Sequence, residues 1–113
     1  MFFLTRCRLK MIQAMDRRRL RRLHARHPGL SISTEATTNF ASSHFDLAPG
    51  ARLTIGERVH TERRAGGVHI SVAEGAHVEI GPDTWLRSDL APILIFAFPG
   101  AHIRIGREGF MNG

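Results

Sequence analysis

Apolar and polar residues alternate along the second half of the chain, in short runs that glycine separates. Residues 76–80 read AHVEI, so small and aliphatic side chains occupy every second position and polar side chains lie between them. The same alternation occurs in residues 68–72 and around residues 93–95. A period of two with many β-branched residues predicts strands that bury one face. The glycines that flank the runs predict sharp corners, because glycine adopts backbone angles that a side chain forbids.

One phrase occurs three times at a constant spacing. The copies read APGARLTIG at 48–56, AEGAHVEIG at 73–81 and FPGAHIRIG at 98–106. Self-similarity at a fixed period is typical of stacked repeats, and we predict that each phrase forms one wall of one coil. Ile55, Ile80 and Ile105 then lie above one another in a shared interior. The predicted fold class is an all-β solenoid, a parallel β-helix of about three coils over residues 28–113 with an N-terminal basic α-helix.

A small β-sandwich is the alternative fold, and the turn residues argue against it. Sandwich strands need hairpin turns such as Asn-Gly, and that dipeptide occurs only at Asn112-Gly113. At the other end, residues 27–32 (HPGLSI) read as an irregular first copy with Gly29 in the place of Gly50, which predicts a capping coil. The chain stops seven residues after the third Ile-Gly pair, so we expect either a truncated chain or one whose bare strand edges pair with another molecule.

The formal net charge of +6 is concentrated in residues 1–27. This leader holds nine Lys and Arg against one acid, Asp16, whereas the rest of the chain holds seven Arg and nine acids. Four aliphatic side chains form a helical stripe that Asp16 interrupts: Leu9, Ile12, Leu20 and Leu23. We therefore predict a basic amphipathic helix over residues 1–27, which Pro28-Gly29 ends.

The leader has two readings that the sequence leaves open. It caps the first coil, or it contacts an anionic membrane surface through residues 6–26. We expect no nucleic-acid partner, because nothing in the leader supplies base-reading aromatic side chains. The expected location is the cytoplasm, with the leader placing the protein at the inner face of the membrane in the second reading.

Several classes of protein are excluded by what the chain lacks. Cys7 is the single cysteine, so no intrachain disulfide forms. No run of about 18 apolar residues is present, and the apolar start before Arg6 is too short for a secretory signal. The chain also contains no glycine-rich phosphate loop, no serine nucleophile elbow and no CxxC pair.

The Ile-Gly elements resemble those of the hexapeptide-repeat acyltransferases. The matching stretches are IGPDTWL at 80–86, IGREGFMN at 105–112 and, more loosely, IGERV at 55–59. Proteins of that family are left-handed parallel β-helices, usually trimers, that move acyl groups from coenzyme A or acyl carrier protein to sugars and other acceptors. The resemblance covers residues 30–113 and implies a homotrimeric O-acetyltransferase that uses acetyl-CoA, or another acyl-CoA, and a saccharide acceptor.

Two departures from the family limit what the resemblance implies. The family's coils are commonly shorter than the period of this chain, which runs from Gly50 to Gly75 and from Gly75 to Gly100. The family's catalytic histidine commonly lies in later coils than the three present, so we expect this chain to be an inactive N-terminal portion of such an enzyme. The alternative is a non-catalytic β-helix that assembles as a scaffold through its strand edges.

The candidate site residues are histidines, one asparagine and one tryptophan. His77 and His102 share a repeat position and point outward by parity, so they are the candidates for a general base. A zinc site would need His69 to converge with them, and we expect no metal. Asn112 matches a position that lies near the acceptor in the family, or it is a corner residue. Trp85 forms a lip for a ligand, or it covers the core.

Overall fold

The computed structural model describes the backbone of residues 2–113 and the side chains of residues 6–113. One α-helix, α1 (Phe2–Arg26), is followed by a short 3-10 helix (Thr38–Ser42) and short strands. The strands are β1 (Leu30–Ile32), β2 (His44–Leu47), β3 (Arg52–Ile55), β4 (His60–Thr61), β5 (Val68–Val72), β6 (His77–Ile80), β7 (Trp85–Arg87), β8 (Ile93–Ala97), β9 (His102–Ile105) and β10 (Phe110–Asn112). The helix stops where predicted, before Pro28 and Gly29.

The strands form three parallel sheets, which are the walls of a β-solenoid of about three turns. The first wall contains β1, β3, β6 and β9, the second contains β4, β7 and β10, and the third contains β2, β5 and β8. Ile55 pairs with Ile80, and Ile80 pairs with Ile105, so each regular coil sits one full repeat above the one before it. The prediction of a parallel β-solenoid whose coils follow the sequence repeat is confirmed.

The core is the column of inward side chains that these walls enclose. Most aliphatic residues of the predicted inward parity are almost fully buried, as Leu53, Val78 and Ile80 show. The interior polar groups are paired: the hydroxyl oxygens of Thr61 and Ser88 are 3.0 Å apart and hydrogen-bond to each other. Alternation along the chain therefore encodes an inside and an outside for every wall.

Two residues at matching positions of each regular coil have a positive φ angle, and Gly66, at 70°, is a third without a counterpart in the next coil. Gly50, Gly75 and Gly100 lie at φ values of 77°, 71° and 73°. Arg58, Asp83 and Glu108 lie at 56°, 61° and 57°, a left-handed backbone conformation that residues with a side chain rarely adopt. Both sets recur at the period of the repeat, so these two corners repeat with the walls, whereas the corner that holds Gly66 does not.

The first coil is irregular, as predicted, but its register differs from the prediction. Matching Gly29 with Gly50 would set Ile32 beside Leu53, whereas the structure pairs Leu30 with Leu53 and Ile32 with Ile55. A side chain at Gly29 would collide with the carbonyl oxygen of Ala51, so glycine at this position lets the chain enter the first wall against β3. The 3-10 helix then closes the coil and buries its phenylalanine.

α1 caps this first coil by packing against the 3-10 helix and β1. Leu20 and Leu23 contact the core, as the capping reading expects, whereas Leu9 of the same stripe is 55% exposed. Asp16 does not interrupt the packed stripe, since it is buried and accepts two hydrogen bonds of 3.2 Å from the guanidinium of Arg63. Within residues 2–113, no helix combines the length and the apolar character needed to cross a bilayer.

Candidate functional site

His77 and His102 lie one above the other on the outer face of the first wall. The two residues are register partners on β6 and β9, and their rings are stacked at 5.0 Å with 2° between the ring planes. Arg52 occupies the next lower rung on β3. The predicted column of outward histidines is therefore present, and its geometry follows from parity and from the register of the repeat.

Glu79 joins the two histidines through its carboxylate. One carboxylate oxygen is 2.8 Å from Nε2 of His102, and the other is 3.8 Å from Nε2 of His77. The hydroxyl oxygen of Thr54 is 3.3 Å from the same nitrogen of His77. His102 is the most exposed of the three residues of the cluster, so the cluster opens to solvent at the upper coil.

The surroundings of Glu79 keep its carboxylate ionised. The hydrogen bond with His102 lowers the pKa of Glu79 from its ordinary value of 4.5, although partial burial acts in the opposite direction. The nearby charges of His77, His102 and Arg104 lower the pKa further. A carboxylate held in this way orients the imidazole ring that donates to it.

The cluster could also hold a divalent metal ion. His77, Glu79 and His102 each offer one ligand atom, and these atoms lie within 4.8 Å of one another. Ligands of a tetrahedral zinc ion are closer, since each bond is about 2.0–2.2 Å long, so the side chains would have to converge. Nε of Arg104 lies 4.0 Å from the Glu79 carboxylate, and its positive charge opposes a cation there. Metal binding would therefore need a rearrangement of these side chains.

A groove of about 490 Å³ runs along the corner between the first and second walls, beside this cluster. It is lined by Gly56, Gly81 and Gly106, which hold the same corner position in successive repeats. Arg104 and Arg107 supply positive charge, and the Glu79 carboxylate belongs to the groove as well as to the histidine cluster. An elongated anionic molecule in this groove would reach the histidines at its edge.

Trp85 lies outside the coil, on the second wall, and does not cover the core. Its ring centre is 6.3 Å from that of His60 below and 5.2 Å from that of Phe110 above. The indole N–H donates to Glu62 over 2.8 Å, and Glu62 also accepts from the backbone N–H of Ser88. Burial raises the pKa of Glu62, but these hydrogen bonds outweigh it and lower the pKa from 4.5.

Asn112 is an exposed residue of β10 on this same wall, where it pairs with Arg87. The structure therefore places it in a strand, and the interpretation as a corner residue is wrong. Trp85 and Asn112 share one outer face, whereas His77 and His102 share another. The candidate residues form two groups, on opposite sides of the corner groove.

His69 lies on the third wall, between His44 and Phe96, with ring centres 4.5 Å and 5.5 Å away. It therefore does not converge with His77 and His102, and the three-histidine zinc site considered from the sequence does not form. The third member of the cluster is Glu79, which the sequence alone did not identify. The signal in the sequence was its outward parity two residues after His77 on the same strand.

The fold and the cluster are the positive findings about this chain. No protein-family model matches it, and no curated protein or solved structure matches it either. The similarity to hexapeptide-repeat acyltransferases rests on the Ile-Gly elements alone, and acyl transfer stays a prediction.

Proposed function

We propose that these coils belong to an acyltransferase, in the first instance an O-acetyltransferase that moves an acyl group from acetyl-CoA or a similar donor to a saccharide hydroxyl. The observation that carries the proposal is the pair of Glu79 and His102, whose carboxylate oxygen and Nε2 are 2.8 Å apart on an exposed face. The repeated Ile-Gly elements support the same assignment by resemblance.

His102 is the proposed general base. When its Nε2–H donates to Glu79, the lone pair of Nδ1 accepts the proton of the acceptor hydroxyl. The hydroxyl oxygen bonds to the thioester carbonyl carbon, and the tetrahedral intermediate then breaks its carbon–sulfur bond. The departing thiolate receives the proton from His102, which restores the base. Glu79 stabilises the imidazolium that exists between the two proton transfers.

The corner groove is the proposed site of the donor. The guanidinium groups of Arg104 and Arg107 would neutralise part of the diphosphate charge of coenzyme A. Since Glu79 borders the groove, a thioester lying along it would approach His102. Trp85 and Asn112 lie beyond the groove on the second wall and are the proposed contacts of the saccharide.

The proposed homotrimer has a candidate contact surface on the third wall. Leu94 and Phe96 point outward from β8 and are 57% and 51% exposed, and Phe98 follows them at the next corner. Contiguous exposed apolar side chains are typical of subunit contacts. Association through this wall would leave the corner groove, which lies between the other two walls, open to solvent.

The test measures thiol release from acetyl-CoA with a panel of saccharide acceptors. Cys7 is exposed and would react with the thiol reagent, so a Cys7→Ser background is used. The assay includes this chain and any longer form that its gene encodes. His102→Gln and Glu79→Gln are compared with His44→Gln, an outer histidine of the third wall.

We expect acceptor-dependent thiol release that His102→Gln lowers about 100-fold or more and Glu79→Gln lowers about tenfold, with His44→Gln unchanged. Activity that His102→Gln leaves intact would remove His102 as the base. No release from either form with any acceptor would contradict acyl transfer. Filaments formed by such an inactive protein would favour the non-catalytic scaffold.

A further inference from the structure

α1 has an exposed face that the solenoid does not use. Met11, Met15, Arg18 and Arg22 are spaced by four, three and four residues, which places them along one stripe of the helix. All four are exposed, and each methionine is 64% exposed. Apolar side chains thus occupy the first part of this stripe and guanidinium groups the second.

The opposite face of α1 is occupied by the first coil. Leu20 and Leu23 pack against the core, and Asp16 lies buried in its two hydrogen bonds with Arg63. Arg63 of the solenoid therefore neutralises Asp16, the one acid of the leader. The nine Lys and Arg of the leader are all exposed. The free surface of α1 is cationic without an acidic interruption.

We propose that this face of α1 binds an anionic phospholipid membrane surface. The helix would lie in the plane of the headgroups, with Met11 and Met15 at the boundary of the acyl chains. Arg18 and Arg22 would reach the lipid phosphates, since long basic side chains extend toward the polar region. The solenoid would then lie on the aqueous side of the helix, held to it by the packing of the partly buried Leu20 and Leu23.

The methionines distinguish a lipid surface from nucleic acid as the partner. A phosphate backbone would attract the arginines equally, but it offers nothing for two neighbouring exposed methionines. Within residues 6–26 no Phe, Tyr or Trp side chain is available to stack on a base. The combination fits a membrane interface.

The proposal is independent of acyl transfer, and a vesicle-binding experiment with the full chain tests it. Vesicles of phosphatidylcholine alone are compared with vesicles containing about one third phosphatidylglycerol. Arg18→Gln/Arg22→Gln removes two charges of the proposed face and retains good helix formers. The matched control is Arg17→Gln/Arg21→Gln, because these two arginines line a groove between α1 and β1 instead.

We expect binding to the anionic vesicles only, weakened by salt. Each basic side chain at such a surface contributes about fivefold to partitioning, so Arg18→Gln/Arg22→Gln should lower it roughly 30-fold and the control pair clearly less. Met11→Gln/Met15→Gln should lower it about tenfold through lost apolar burial. Circular dichroism verifies that α1 remains folded in each variant.

Three results would overturn the proposal. Equal binding to both vesicle types would show that charge is not used. Equal losses from the two arginine pairs, with no effect of the methionine pair, would show that no particular face is used. Binding to random-sequence duplex DNA but not to anionic vesicles would assign the helix to nucleic acid.

Discussion

Arg58 lies one coil below Asp83 and donates two hydrogen bonds to its carboxylate, of 2.6 Å from Nε and 3.1 Å from Nη2. The two residues hold the same place in successive repeats and have similar φ angles. The ion pair therefore joins equivalent corners of neighbouring coils. It shows that the repeat stacks outer side chains as well as the core.

Acidification should weaken this link. The hydrogen bond from Arg58 lowers the pKa of Asp83 from its ordinary value of 3.8, with a smaller opposing effect of burial. Because the folded-state pKa is depressed, the stabilisation is complete above pH 3.8 and is lost as the pH falls through the folded pKa. In thermal unfolding, the Tm difference between the wild type and Asp83→Asn should be constant above that pH. Below it, the difference should shrink toward zero. Arg58→Gln should show the same closure, and a pH-independent difference would contradict this origin.

The backbone at Glu108 should be strained by its side chain. Its φ of 57° is one that glycine adopts at little cost. Glu108→Gly should raise the free energy of unfolding by roughly 0.5–1 kcal/mol, after the larger entropy of an unfolded glycine is subtracted. Arg107→Gly is the matched control and should lower it by a similar amount. Urea unfolding measures both, and destabilisation by Glu108→Gly would refute the prediction.

The isoleucine column should be most sensitive in its middle. Ile80 is almost fully buried, whereas Ile105 in the last coil is partly exposed. Ile80→Ala should cost about 3–4 kcal/mol and Ile105→Ala about 1–2 kcal/mol, because only the first leaves a closed cavity. Denaturant unfolding gives both values. Equal costs would mean that the two positions are equally enclosed in solution.

The buried carboxylate of Asp16 should depend on Arg63. Arg63→Ala removes the two hydrogen bonds and leaves Asp16 at the helix–coil contact without its cation. We expect a loss of about 1–2 kcal/mol, less than for a fully buried pair because Arg63 is half exposed. Asp16→Leu/Arg63→Ala should recover most of this loss. Failure of the double variant to recover it would show that Arg63 acts elsewhere.

The third wall should control the oligomeric state. If the protein is the trimer that the family resemblance implies, Leu94→Gln/Phe96→Gln should raise the concentration needed for association about tenfold or more. Leu90→Gln is the control, since this leucine is exposed but lies outside the wall. Light scattering after size-exclusion chromatography measures the mass. A wild-type monomer at all concentrations would contradict the trimer.

The solenoid could be predicted because the fold depends on short-range regularities. Alternation determined which face of each strand is buried, and the constant spacing determined which residues stack, as for Ile55 and Ile80. The first coil broke that rule. Its strand continues directly from α1 and has no close copy to align, so the pairing of Leu30 with Leu53 was not foreseen.

Long-range pairings were the part that could not be predicted. Asp16 looked like an interruption of the apolar stripe because Arg63, far along the chain, gives no sign in the sequence that it reaches the helix. The histidine column was foreseen, but the position of the Glu79 carboxylate depends on side-chain rotamers that parity does not determine. Asn112 was open between a residue near the acceptor and a corner residue, and its place in β10 follows from pairing with Arg87 of β7, which the local sequence does not reveal.

The constant register has a consequence for how such a molecule changes. Each coil contacts the coil below and the coil above through equivalent positions, which recur from Gly50 to Gly75 and from Gly75 to Gly100. A segment of one full period is thus a cassette whose duplication or deletion leaves every remaining junction intact. Insertion of a single residue inside a wall would instead invert the strand beyond it, so growth of this architecture is confined to whole steps.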